Sequence, residues 1–132
     1  MDRQLLTSEI NVLIARANRA IERLDTAKNQ ATDGLQNSRL RPLDVTYINR
    51  GYFLVRTIES FLWTSDDILE MLAVYLSTVE AGSSHDHYHL PDVKLRVDDF
   101  MEIASQALSE AREYNRMVHR TIEMTGSGAA PQ

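Results

Sequence analysis

The chain has 132 residues, 25% of them charged, with a net charge of −5 and no cysteine. That length supports one domain with a real core. The missing cysteines exclude a disulfide framework and thiolate chemistry, and the negative balance argues against a general nucleic-acid binder.

No apolar run reaches the ~18 residues of a membrane span. The first residues lack the long apolar segment of a secretory signal. A non-membrane chain is expected, in the cytoplasm or inside a virion.

Residues 2 to 33 read as a long helix. Leu6, Ile10, Leu13, Ala17, Ala20, Leu24, Ala27 and Ala31 step by fours and threes without a break, which is a heptad rhythm. Ile14 and Ile21 widen this seam, and alanines fill its second half. Small seam residues let two helices approach closely. Gly34 is the expected stop, and residues 34–43 the connection.

The stretch from Asp44 to Ala81 is apolar along two stripes. One runs through Val45, Ile48, Tyr52, Val55, Leu62, Leu69, Ala73 and Leu76. The other runs through Tyr47, Leu54, Ile58, Phe61, Ile68, Leu72, Tyr75 and Val79. A helix with two such stripes calls for cover from two sides, and six of the nine aromatics fall here. This predicts a central helix clasped by the other two. Asp44 is the expected N-cap and Ala81-Gly82 the expected stop. Thr64-Ser65-Asp66-Asp67 interrupts both stripes, so a bend is expected near Ser65.

Residues 82–91 form the second connection. Pro91 suits the start of the third helix, which runs from 92 to 124. There Val93, Val97, Phe100, Ala104, Ala107, Ala111, Tyr114, Val118 and Ile122 keep the same spacing. Gly126 is the expected stop, and residues 125–132 the expected C-terminal tail.

The fold class is therefore all-α: a long antiparallel up-down-up three-helix bundle over residues 1–124, with coiled-coil-like seams. Each rod would be roughly 50 Å long. In that arrangement residues 17–62 and 108–124 share one half, with ten Arg and Lys against eight Asp and Glu. The other half holds four against eleven. One end of the rod is thus markedly acidic, a pattern that favours end-to-end stacking or a basic partner.

Three constellations carry candidate chemistry. His85, His87 and His89 alternate beside Asp86. In extended backbone they would share one side, about 6.5 to 7 Å apart, a spacing open to a divalent transition metal. Arg16, Arg19 and Arg23 form one basic row and Arg112, Arg116 and Arg120 another. Interleaved acids predict ion pairs within each helix.

Arg112 and His119 are seven apart and share a helical face. The segment from Arg112 to His119 resembles the Arg-x4–6-His motif of the HEPN family, small helical bundles that include dimeric ribonucleases. The resemblance covers eight residues, at the longest spacing the motif permits. Glu113 follows the arginine, where that family often has a polar Asn. It implies RNA cleavage at a dimer groove, with Arg112 and His119 acting on the RNA.

There is no phosphate-cradling glycine loop, no Glu-x-x-His pair and no nucleophile-histidine-acid set. The leading expectation is a non-enzymatic bundle subunit that packs with copies or protein partners in a larger assembly. A phage or viral structural or accessory protein is the form it suggests.

Overall fold

The computed structural model describes residues 2–36, 45–84 and 88–129. They form three helices, α1 (Arg3–Gln36), α2 (Val45–Glu80) and α3 (Leu90–Ala129). The start of α1, the end of α2 and the start of α3 share one core cluster, built on Ile10, Leu13, Leu72, Tyr75 and Val97. A second cluster joins Leu24, Ala27, Ile58, Phe100 and Tyr114. The bundle is therefore up-down-up, and the 4-3 seams of α1 and α3 are its buried lines.

The clasped helix is α1 and not α2. Both α2 and α3 pack along α1, whereas they meet each other more sparsely. The reason lies in side-chain size. Ala17, Ala20, Ala27 and Ala31 let two neighbours close onto α1. Between α2 and α3 stand large groups, including the stacked rings of Phe61 and Phe100, 4.8 Å apart.

Both α2 stripes pack on the core, but unequally. Leu54, Ile58, Leu72, Tyr75 and Val79 are buried. In the other stripe Val55, Leu62, Leu69 and Leu76 are half-buried, while Tyr52 and Val45 stand in solvent.

The Thr64-Ser65-Asp66-Asp67 interruption does not divide the element, and α2 runs through it as one helix. Ser65 is 1% exposed and donates its hydroxyl to the Leu62 carbonyl. Thr64 donates to the Ser60 carbonyl at 3.2 Å. Both hydroxyls return to the backbone of their own helix, so neither is free to cap a new one.

Two glycines inside helices are close-approach positions, and for Gly34 this differs from the expectation. Gly34 does not end α1, which continues to Gln36. A Cβ there would sit 2.9 Å from Val118 Cγ1, so Gly34 is a close-approach position. Gly51 likewise lets α2 cross over the Tyr114 hydroxyl and Leu35.

Gly82 is the expected stop, with φ of 69°. Its N–H donates to the Val79 carbonyl and that of Ser83 to Thr78, each at 3.1 Å. That paired pattern is a Schellman cap. At the other end α3 runs past Gly126 to Ala129. Glycine weakens a helix by about 1 kcal/mol relative to alanine but keeps its N–H donor, and residues 125–129 contain no proline. The Asp44 cap lies outside the described residues.

Candidate functional site

Two surfaces stand out. The first is the seam where α1 and α3 run parallel. Arg16 reaches Asp98 at 3.2 Å and Lys94 reaches Glu9 at 3.1 Å, which fixes the register of the two helices. Three shallow hollows line this seam and share Leu108 as a common wall. The largest is about 990 Å³ and open to solvent; the others are about 250 and 360 Å³.

All six arginines of the two basic rows line these hollows. Arg16, Arg19 and Arg23 come from α1, and Arg112, Arg116 and Arg120 from α3. Only two acids, Glu22 and Asp33, line them too. A net acidic chain thus gathers six of its twelve arginines on one seam. The expected ion pairs within each row do not form among the described residues. Arg16 alone is paired, and its partner is across the seam on α3. The interleaved acids turn elsewhere, as Asp25 binds Lys28 at 3.4 Å and Glu123 binds His119 at 3.1 Å.

Arg112 and His119 both line the largest hollow. His119 is exposed and its Nε2 is held by Glu123 Oε1. Between them lies Asn115, which the sequence reading passed over. Its Nδ2 donates to the Ala27 carbonyl at 3.2 Å, tying α3 to α1, while its Oδ1 is buried with no hydrogen-bond partner. The available signal was its register. Asn115 follows Tyr114 as Leu108 follows Ala107 and Met101 follows Phe100, at the half-buried edge of the seam.

The histidine triplet is not assembled in what is described. His85 and His87 lie outside the described residues. His89 is exposed, with Nδ1 3.3 Å from Asp92 Oδ2. Among the described residues no group of three or more His, Cys, Asp or Glu side chains converges on one point.

The second surface is the outer face of α2. Trp63 is 81% exposed and Phe53 73%, and Tyr52 and Val74 are exposed as well. Tyr52, Trp63 and Val74 recur every eleven residues, three turns, so they fall on one line directly opposite the buried stripe. Around them stand Arg56, Glu59, Asp66, Asp67 and Glu70, all exposed. None of these five forms an ion pair among the described residues.

Two tyrosines are perturbed. Burial pushes the Tyr75 phenol above its ordinary value. Burial does the same to Tyr114, with Arg50 opposing and Tyr52 adding to it.

The site thus belongs to a three-helix bundle with two unlike faces, one arginine-lined and one aromatic with an acidic rim. Comparison with family models, with curated proteins and with solved structures finds no match to the chain. No helix among the described residues is long and apolar enough to cross a membrane.

Proposed function

We propose that the chain is a non-enzymatic bundle subunit that self-associates in a larger assembly, in the manner of a phage or viral structural or accessory protein. One observation carries this reading: the bare aromatic line on α2, centred on Trp63. Tryptophan and tyrosine are the side chains most enriched at the energetic centres of interfaces. Large apolar side chains in water mark association surfaces where they cluster, and Tyr52, Phe53 and Trp63 are the largest exposed on α2. Light scattering on the intact chain tests it. The expected result is a mass above that of the monomer at micromolar concentration, reduced by Trp63→Ser. A strict monomer across the concentration range overturns the reading.

A second reading has its own support. Arg112 and His119 line one solvent-open hollow, which suits the HEPN-like ribonuclease expectation. A sensitive RNA-cleavage assay with and without His119→Ala separates the two. Cleavage that is lost in the variant favours the enzyme.

A further inference from the structure

We infer that assembly is heterologous: the outer face of α2 in one copy seats on the α1–α3 seam of the next, with Trp63 as the knob. This rests on the self-association reading and adds which surfaces meet.

The receiving hollow is the one of about 250 Å³. Its floor is Met101, Ala104 and Leu108, and its rim is Arg16, Arg19 and Arg23. An apolar floor under guanidinium groups is what an indole ring prefers, since it is buried beneath and meets cations at its face. Arg19 and Arg23 pair with no acid among the described residues.

The knob has the opposite chemistry around it. Asp66, Asp67 and Glu70 follow Trp63 by three, four and seven residues, or about 4.5 to 10.5 Å along the helix. Arg16 and Arg23 are seven apart, so the cationic row spans about 10.5 Å, against about 6 Å from Asp66 to Glu70. Seating Trp63 in the hollow sets the carboxylates toward one end of the arginine row.

Neither face suits itself. Two outer faces of α2 packed parallel would bring Glu59, Asp66, Asp67 and Glu70 against their own copies; packed antiparallel about Trp63 they would oppose Glu59 and Asp67, with Arg56 against Glu70 the one opposite-charge pair. Two seams packed together would oppose arginines. Like charges brought together at an interface cost several kcal/mol. Complementarity is greatest between unlike faces. The α2 face points away from α1, while the seam is made of α1 and α3 alone, so one copy can use both at once. Such a contact builds rings or open filaments instead of closing a dimer.

The experiment uses two full-length variants with exposed substitutions. Trp63→Ser removes the knob, and Arg19→Glu with Arg23→Glu spoils the hollow. Circular dichroism checks that each remains helical. In light scattering the wild type is expected to grow past the dimer with concentration and to shrink as salt rises. Each variant alone is expected to be monomeric. Their equimolar mixture is expected to stop at the dimer, because one competent contact is left between them.

A hollow variant that still associates alone overturns the heterologous contact and leaves self-association standing, through α2 against α2. A wild type that is monomeric throughout overturns both. If that monomer binds a labelled oligonucleotide and the double arginine variant does not, the seam serves a polyanion and the inference falls.

Discussion

The inner and outer faces of α2 are made of the same kinds of residue and meet opposite fates. Inside, Leu54, Ile58, Leu72, Tyr75 and Val79 are buried; outside, Val45, Tyr52, Phe53, Trp63 and Val74 face water. Apolar residue type alone does not separate them; period and the charges interleaved on the outer face do. The inner residues keep the 4-3 step of a continuous seam, which α1 can match along its length. The outer line recurs only every eleven residues and offers knobs without a continuous partner stripe. Apolar character says that a face gains from cover. Spacing says whether a neighbour in the same chain provides it.

The sharpest way to break this comparison is truncation on the inner face. Ile58 is fully buried between α1 and α3. Ile58→Ala is expected to cost about 2–5 kcal/mol in urea unfolding, the usual range for a core isoleucine cut to alanine. A loss below about 1 kcal/mol would mean that the inner face is not the main support of α2.

Next in size is Gly51→Ala. Its Cβ would collide with the Tyr114 hydroxyl and press on Leu35. The expected destabilisation is about 1–3 kcal/mol, as for an overpacked core. Tyr114→Phe removes the colliding oxygen, so the double variant is expected to lose less than the sum of the singles. Strict additivity in that cycle would show that the hydroxyl is not the limiting contact, leaving the Tyr114 ring carbon at 2.6 Å and Leu35 at 2.8 Å as the obstacles.

The bundle was legible because its information is periodic. The seam positions of α1 and α3 are apolar at 4-3 spacing, and those the structure describes are buried or half-buried. The Gly82 stop was equally plain, since a glycine after an apolar run signals a positive-φ cap. The role of α1 as the shared helix was not. Its alanines carry little hydrophobic signal, yet small size is what lets two helices close on one. Gly34 misled for a similar reason. In sequence a glycine reads as punctuation, whereas here its missing Cβ makes room for Val118.

The candidate site was half legible. The two arginine rows were visible, but their meeting on one seam depends on the parallel register of α1 and α3, which local spacing does not encode. Asn115 was hidden because a polar residue in a helix is ordinarily solvated, and its contact partner lies 88 residues away.

A gentler probe of the inner face is pH. Tyr75 and Tyr114 hold their phenol protons more tightly when folded, chiefly because burial disfavours the phenolate. With both folded pKa values raised, the folded chain binds more protons than the unfolded one above the ordinary tyrosine value of 10.0. Stability is therefore expected to be unaffected by these groups below about pH 10 and to fall as pH rises through their folded pKa values. Tyr75→Phe should flatten that alkaline fall in thermal unfolding at a series of pH values. An unchanged slope would show that Tyr75 does not contribute to it.

The smallest expected effect on stability is at Trp63, and it sharpens the comparison most. A side chain 81% exposed on the face opposite the core should tolerate Trp63→Ser within about 0.5 kcal/mol. Ile58→Ala and Trp63→Ser each remove an apolar group from the same helix, so a large gap between them isolates the face and not the residue type. Trp63 is also the single tryptophan, which makes its fluorescence a direct report on the outer face. In dilute solution its emission should be that of an indole in water. On concentration it should shift to the blue as the ring enters the arginine-rimmed hollow, and Arg19→Glu with Arg23→Glu should abolish the shift without moving the unfolding midpoint. A blue-shifted emission already present at the lowest concentration, and unaffected by dilution, would mean that Trp63 is covered within its own chain. The distinction between the two faces of α2 would then be gone.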